Sequence, residues 1–333
     1  MLEDRRSEVL RALVEEHIRT GEPVSSRAIV DHSALAVSTA TVRNDLTALE
    51  TDGLVIQPHT SAGRIPTAAA YRYYVDHIGP GKLRNAAQEK IDNLFGDVHL
   101  ELSKLLKATS VLLAEITDLP AVVFAPGVAH DRVRALHTVQ VNADQVLIVV
   151  ITEGGRVVQQ RGRVRVPVTP MEVEEAQRLV AASVVGSELG ANINVGVGGE
   201  MEISEPTREA VLTILDGLHL AATSSTEMFV GGTKRMTSTW EDLDSVQRIL
   251  EILEREAEVM KLLAGASGTS VQLGSELESP DIDLAVVSNT YEAGGEGGSV
   301  GVIGPMRMNY KRAISAVEEV SRELEDQIGS RSE

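Results

Sequence analysis

The stretch Ser-Thr-Ala-Thr-Val-Arg-Asn-Asp-Leu occupies residues 38–46. A serine is a favoured N-cap and a glycine commonly follows the C-terminus of a helix, so Ser38 and Gly53 predict a helix over residues 39–51. Its apolar residues recur at helical spacing and form one side, whereas polar residues lie elsewhere on its surface. The apolar side consists of Val42, Leu46 and Leu49, and the polar surface includes Arg43, Asn44 and Thr47.

The segments on either side of this helix predict a small domain. Helical spacing and capping residues predict two helices before it, and two short strands with a polar, turn-rich loop between them are expected after it. This order of elements is the topology of a winged helix-turn-helix, which we place at residues 1–80. The neighbouring elements are expected at 4–20, from a cap at Ser25 or Ser26 to about His32, at 54–56, from Ile65 and at 68–78.

The residue types on the central helix suit DNA. In helix-turn-helix proteins the second helix of the motif enters the major groove by its N-terminal end. Small hydroxyl side chains at that end suit phosphate, arginine suits guanine and asparagine suits adenine. The loop 57–64 is expected to be the wing, and an arginine on the following helix could touch a phosphate. The candidate DNA-binding residues are Ser38, Thr39, Thr41, Arg43, Asn44, Thr47, His59, Ser61, Arg64 and Arg72.

Other interpretations of these residues stay open in the sequence. Arg43 could pair with Asp45 or Glu50 on its own helix, and His59 could be an ordinary exposed loop residue. In the segment Tyr71-Arg72-Tyr73-Tyr74 the tyrosines could stack on bases. The favoured interpretation is that Tyr71, Tyr74 and Val75 share a helical face and pack that helix onto the domain.

Charge and composition limit the possible functions. The net charge of −18 argues against broad, non-specific binding of nucleic acid, so a contact with DNA must come from a local surface. Residues 1–78 hold 8 Arg and 11 acidic residues, so the domain itself is slightly acidic. The chain has no cysteine, which excludes disulfides and thiolate metal sites. With neither an export signal nor an apolar membrane span in the sequence, we expect a cytoplasmic protein.

The rest of the chain predicts a mixed α/β domain interrupted by an insert. Residues 83–117 have the apolar spacing of one long amphipathic helix. Strands, then helices, then strands and a last helix follow, and the tail 329–333 is expected to be disordered. The strands are expected at 121–125, 133–141, 145–151, 155–166, 270–275, 282–290 and 299–303, and the helices at 171–185, 206–221, 240–263 and 309–327.

No pattern of a catalytic or cofactor site is present. The eight histidines form neither an HExxH motif nor another metal-ligand spacing, and the chain lacks a GxSxG motif. The glycine-rich runs 196–199 and 294–304 match neither a P-loop nor a dinucleotide-binding turn. We therefore expect no enzyme activity, no metal and no cofactor.

Several of these motifs together resemble the HrcA family of heat-inducible transcription repressors. The residues concerned are Pro-Val-Ser at 23–25, the stretch at 38–46, Leu-Glu at 49–50, Gln-Pro-His-Thr-Ser-Ala-Gly-Arg-Ile-Pro-Thr at 57–67, and Gly-Val-Ile-Gly-Pro-Met-Arg-Met-Asn-Tyr at 301–310. The chain departs from the family pattern at Met306, where threonine is usual, and at residues 68–70, where an acidic residue and a glycine are usual.

The resemblance implies an α+β multidomain protein with a winged helix, a GAF-like α/β domain and a dimerisation domain inserted into it. We place the GAF-like domain at 81–166 and 236–328 and the insert at 167–235. It also implies a homodimer that binds double-stranded DNA at an inverted-repeat operator called CIRCE and represses chaperone operons. The GroEL chaperonin would keep the repressor active, and heat stress would titrate the chaperonin away. The alternative is a winged helix regulator whose GAF-like domain senses a small molecule.

Overall fold

The computed structural model describes residues 4–59, 62–79, 81–96, 101–191, 195, 203–224, 227–234, 236, 243–263, 268–277, 283–293 and 296–329. In chain order its helices are α1 (Asp4–Thr20), α2 (Ser26–His32), α3 (Thr39–Thr51), α4 (Ala68–Asp76), α5 (Asn85–Phe95), α6 (Leu102–Thr117), α7 (Pro170–Val184), α8 (Glu205–Ser224), α9 (Leu243–Leu253), α10 (Glu256–Leu263) and α11 (Tyr310–Gly329). Its strands are β1 (Val55–Ile56), β2 (Ile65–Pro66), β3 (Ala121–Phe124), β4 (Val133–Asn142), β5 (Gln145–Thr152), β6 (Val157–Arg163), β7 (Met228–Gly231), β8 (Ser270–Leu273), β9 (Leu284–Ala293) and β10 (Glu296–Pro305).

The N-terminal domain has the winged helix topology that the sequence predicted. Strands β1 and β2 form an antiparallel pair, and the wing is the loop between them. Serine and threonine caps begin three of the helices, and the cap predicted at Ser38 is one of them: the side chains of Ser25, Ser38 and Thr67 accept hydrogen bonds from backbone N–H groups in the first turns of α2, α3 and α4.

Two predictions of long helices are wrong. The expected helix 83–117 is two helices, because α5 ends at Phe95 and α6 begins only at Leu102. The expected helix 240–263 is likewise interrupted, at residues 254–255 between α9 and α10. In each pair both helices bury an apolar side against the same body of the protein. The apolar spacing therefore continues across each break and conceals it.

A five-stranded antiparallel sheet forms the centre of the larger domain, with the strand order β7-β3-β10-β9-β8. Helices α6 and α11 cover one face, and α9 and α10 cover the other. Strand β7 was not expected from the sequence. It is a short apolar run that pairs with β3 over its whole length. No helix within the described ranges is long and apolar enough to cross a membrane.

The inserted unit starts earlier in the chain than predicted. Strands β4, β5 and β6 form a separate three-stranded sheet, and helices α7 and α8 pack on one of its faces. Sheet and helices share one core that extends from Val128 to Ala221. The boundary expected at residue 167 divides this core and is therefore misplaced. The unit leaves the five-stranded sheet after β3 and returns at β7, its hydrogen-bonded neighbour.

The winged helix domain and the larger domain are packed together. The buried residues of α1, α3 and α4 belong to the same apolar cluster as those of α6, α11 and one face of the five-stranded sheet. Tyr310, at the start of α11, is fully buried and contacts the rings of Tyr71 and Tyr74 on α4. The position of α3 is thus fixed relative to the rest of the chain.

Candidate DNA-binding interface

Helix α3 has a well-defined N-terminal end. The Ser38 hydroxyl oxygen accepts a hydrogen bond from the backbone N–H of Thr41 at 3.1 Å, and the two side-chain oxygens lie 2.9 Å apart. Val42 and Leu49 are fully buried beneath the helix and fix it on the domain. The exposed end carries the partial positive charge of the helix dipole, which suits a phosphate.

Arg43 and Asn44 are exposed on the outer side of α3. The interpretation that Arg43 pairs with Asp45 or Glu50 does not hold. Both oxygens of Asp45 accept hydrogen bonds from Arg5 at 2.9 Å, and Glu50 forms an ion pair with Arg64 at 2.9 Å. Among the described residues Arg43 has no acidic partner, so its guanidinium is available to a ligand.

Two threonines complete the outer side of α3. Thr39, Arg43 and Thr47 are spaced by four residues and therefore lie in a row along the exposed face. Thr47 donates its hydroxyl hydrogen to the backbone carbonyl of Arg43 at 3.0 Å, which leaves its oxygen free to accept. The exposed face of α3 therefore carries small polar residues on either side of a single arginine.

The sequence did not predict that Arg5 and Arg6 pair with Asp45 and so keep this carboxylate away from Arg43. Arg5 lies on α1, forty positions before its partner Asp45, and Arg6 adds a second contact with the same carboxylate at 3.8 Å. Asp45 is almost completely buried. A buried carboxylate requires a paired charge. The position of Asp45 between the apolar residues of α3 was therefore the only sign in the sequence that a cation such as Arg5 must lie beside it.

The wing is braced from within. The side-chain amide of Gln57 donates to the carbonyl of Ala62 at 3.0 Å, and the N–H of Ala62 donates to the carbonyl of His59 at 2.9 Å. His59 is exposed near the tip. Gly63 passes so close to Val24 that a Cβ atom would lie 2.3 Å from its carbonyl oxygen. Only glycine allows this approach. Ser61 lies outside the described residues.

Arg64 is placed at the base of the wing and not at its tip. Its guanidinium pairs with Glu50 of α3, and its side chain is 16% exposed. Its backbone pairs with Val24 through two hydrogen bonds of 2.8 and 2.9 Å. In this arrangement Arg64 holds the wing against α3 and does not offer a free cation to a groove, in contrast to the expectation from the sequence.

Arg72 is directed at the protein and away from the expected phosphate contact. Its Nε donates to Glu276 at 2.9 Å, and its Nη2 donates to Glu276 at 2.5 Å and to the carbonyl of Val271 at 2.6 Å. Its Nη1 lies 3.3 Å from Asp76. Glu276 and Val271 belong to the larger domain, far along the chain, so no local sequence pattern could reveal them.

The tyrosines around Arg72 pack α4 in place. Tyr71 and Tyr74 are buried, as the helical spacing predicted, and Val75 packs beside them. The Tyr71 hydroxyl lies 2.8 Å from Nδ1 of His17. Burial raises the pKa of both tyrosines, which keeps their hydroxyls neutral. Their rings are covered by protein, so they do not offer a surface on which bases could stack.

This geometry makes the exposed side of α3 the candidate surface for DNA. Within the described ranges no three His, Asp or Glu side chains lie close enough together to hold a metal ion. The residues that the structure brings together on one exposed surface are Ser38, Thr39, Thr41, Arg43, Asn44 and Thr47.

Residues 1–76 match the family model of the winged helix-turn-helix DNA-binding domain of the transcription repressor HrcA, and residues 103–314 match the model of the HrcA C-terminal domain. The heat-inducible transcription repressor HrcA of Kocuria rhizophila is 35% identical over 98% of both chains. The protein of the same name from Halalkalibacterium halodurans is 32% identical over 97% of both chains.

One solved structure has the same fold. It is described as the crystal structure of a hypothetical protein at 2.2 Å resolution, and it superposes with a TM-score of 0.65 at 24% identity over 99% of both chains. The family models together cover most of the chain and include both the DNA-binding helix and the larger domain. The chain belongs to the HrcA family of heat-inducible transcription repressors.

Proposed function

We propose that this protein represses heat-shock chaperone genes in the cytoplasm by binding, as a homodimer, an inverted-repeat operator of the CIRCE type. The observation that supports the proposal most strongly is that Arg43, beside Asn44 on the exposed side of α3, has no acidic partner in the part of the chain that the structure describes, in a domain that matches the HrcA DNA-binding model. An arginine and an asparagine in these positions can each form two hydrogen bonds with a base edge in the major groove.

The other residues of the interface have different roles in this proposal. A phosphate would be held by the N-terminal backbone of α3 together with Ser38, Thr39 and Thr41. Thr47 would contact the DNA strand beyond that phosphate. His59 and Ser61 would contact the backbone or the minor groove from the wing. Arg64 would keep the wing in place through Glu50. Arg72 would act only on the position of α4.

A binding experiment tests the operator. We expect footprinting of the purified protein to show two protected half-sites, related by two-fold symmetry, upstream of chaperonin genes. A duplex with one half-site scrambled serves as the control and should lose most of the affinity. Absence of a protected inverted repeat at moderate salt would contradict the proposed repression.

An inverted repeat requires a two-fold dimer, and the inserted unit offers a surface for it. Helices α7 and α8 cover one face of its sheet, whereas the other face is open. Val139, Val141 and Val157 on that face are 54%, 53% and 51% exposed. The intervening residues of β5 are also apolar, so the exposed patch is continuous across the three strands. We propose that the same face of a second molecule of this protein packs against the patch.

A charged residue in this patch should break the dimer. We expect Val139→Glu to give a monomer in sedimentation velocity and to weaken operator binding. The matched control is Leu212→Glu, because Leu212 is a comparably exposed apolar residue on α8, away from the open face. A dimer that survives Val139→Glu and is lost in Leu212→Glu would place the interface on the helices instead.

The proposal includes control by the GroEL chaperonin. Operator binding should fall after brief heating and recover more completely when GroEL and ATP are present than when they are absent. Bovine serum albumin at the same concentration controls for non-specific protection. Equal recovery in both samples would contradict a role for the chaperonin.

A second candidate function is the sensing of a small molecule by the larger domain. A cavity of about 370 Å³ lies between α10 and the sheet, with an apolar floor at Leu284, Val286 and Ile303 and polar residues at its rim, including Lys261 and Gln272. That volume suits a small ligand. A thermal-shift screen of metabolites would support this candidate if a saturable ligand also changed the affinity for DNA.

A further inference from the structure

A basic cavity lies where the winged helix domain joins the rest of the chain. It has a volume of about 420 Å³ and lies between the start of α5, the end of α6 and the start of α11. Five cationic side chains line it, whereas Glu115 is the one carboxylate among the lining residues. The cations are Lys82, Arg84, Lys90, Lys311 and Arg312. Such a concentration of positive charge is unusual in a chain whose net charge is −18.

Three of these cations are already balanced by carboxylates. Lys90 pairs with Glu115, Lys311 pairs with Glu15 of α1 at 2.7 Å, and Arg312 pairs with Asp118 at 2.9 Å. Lys82 and Arg84 are exposed, and no acidic side chain in the described part of the chain lies within ion-pairing distance of either. The cavity therefore has an excess of two positive charges.

Backbone groups add to this potential. Helix α5 begins directly after Arg84 and has no side-chain cap, so its first N–H groups are left without a partner from an N-cap side chain. The N-terminal end of α11 also faces the cavity, where Asn309 caps it by accepting from the N–H of Arg312 at 3.1 Å. Beside Gly81, which lines the cavity, the Ser315 hydroxyl is buried and has no hydrogen-bond partner among the residues that the structure describes.

We infer that this cavity is a binding site for a small phosphorylated molecule. A phosphate group bears up to two negative charges and several strong acceptor oxygens, which matches two unpaired cations beside a helix N-terminus. Leu83, Ala86 and Ile116 supply an apolar wall for the organic part of such a ligand. The site is distinct from the DNA-binding surface of α3.

The shape favours a free ligand over the phosphates of DNA. The cations line a cavity of about 420 Å³, a volume in the range of pockets that take small molecules. The ligand would bridge the linker that follows α4 and the start of α11, so it would join the two domains. It would also lie beside the Lys311–Glu15 pair, which connects α11 to α1.

Calorimetric titration of the full-length protein with inorganic pyrophosphate tests this site. We expect saturable binding of the wild-type chain at low salt. The double variant Lys82→Ala/Arg84→Ala should bind about tenfold or more weakly, because it loses both unpaired cations. Both residues are exposed, so the fold should be retained, and a circular dichroism melt verifies this.

The matched control is Lys107→Ala/Arg134→Ala, which removes the same charge from exposed positions outside the cavity. It should bind pyrophosphate like the wild type. Absence of saturable binding to the wild-type chain, or equal weakening in both double variants, would overturn the inference. A second arm uses a duplex of random sequence: if the Lys82/Arg84 variant loses affinity for this duplex as strongly as for pyrophosphate, the phosphates are those of DNA and the inference of a free ligand is wrong.

Discussion

Helices α3 and α4 belong to the same small domain, and each presents one arginine on its polar side. Arg43 of α3 has no acidic partner in the described structure, whereas Arg72 of α4 contacts two carboxylates and a backbone carbonyl. The difference comes from neighbours distant in sequence. The carboxylates near Arg43 are held by other arginines, and the larger domain supplies a carboxylate to Arg72. An arginine on the polar side of a helix therefore indicates a ligand contact only when the acidic residues near it are paired with other cations.

The two helices also differ in what they bury. Helix α3 packs with one side on its own domain and leaves the other side open. Helix α4 lies between two domains, with Tyr71 and Tyr74 against Tyr310. We expect changes on α4 to alter the stability of the whole chain and changes on α3 to alter DNA binding alone. The following experiments, from the largest effect to the smallest, test this division.

Removal of the Tyr310 ring should have the largest effect. Tyr310 is fully buried between the domains, so Tyr310→Ala should lower the free energy of unfolding by about 3–5 kcal/mol in a denaturant titration. Tyr310→Phe is the control, since it loses only the hydrogen bond to the carbonyl of Met306 and should cost about 1 kcal/mol. Similar small losses for both variants would show that the domains do not depend on this contact.

Arg43→Ala should weaken operator binding by about 1–3 kcal/mol and relax the preference for one base pair, with no change in melting temperature. The reason is that Arg43 is exposed and can contact a base edge. Arg165→Ala removes the same charge from a highly exposed position in the inserted unit and should leave binding unchanged. A uniform loss over all DNA sequences would instead assign Arg43 to a phosphate.

The Arg72–Glu276 pair should contribute no more than about 1 kcal/mol to stability, because both side chains are partly exposed to solvent. A double-mutant cycle with Arg72→Ala and Glu276→Gln measures this coupling. Both single variants should affect operator binding slightly and in the same direction. If Arg72→Ala weakens DNA binding while Glu276→Gln strengthens it, Arg72 contacts phosphate after all.

The smallest expected effect is a pH dependence at His17. Burial lowers the pKa of His17 from its ordinary value of 6.5, and the Arg307 cation lowers it further. Protonation therefore favours the unfolded chain, so the stability that the neutral ring contributes is lost as the pH falls below about 6.5. His17→Asn retains a group that can bond Tyr71 but does not titrate.

Melting temperatures at about pH 7.5 and 5.5 measure this effect, over a window chosen on either side of the ordinary histidine pKa. The decrease on acidification should be smaller in His17→Asn than in the wild type. His219→Asn changes an exposed histidine and should behave like the wild type. An unchanged decrease in His17→Asn would show that other groups cause the acid sensitivity.

Local patterns in the sequence predicted the winged helix well, because its helices begin at serine and threonine caps and its strands flank a polar loop. The position of Arg43 and the packing role of Tyr71 were accessible for the same reason. The partners of Arg64 and Arg72 were not, since they depend on how distant segments fold together. The start of the inserted unit was placed wrongly because the alternation of apolar and polar residues in a strand does not show which of two sheets the strand joins.

The continuous core between the winged helix and the larger domain has a consequence for how the proposed dimer would measure DNA. A domain on a loose tether could reach half-sites at many separations, but one embedded in a shared core keeps a fixed distance and rotation from its twin. Binding of the first half-site then positions the second domain, and little orientational entropy remains to be lost. Insertion of one base pair between the half-sites rotates one of them by about a tenth of a turn, and such a rigid protein should discriminate against it.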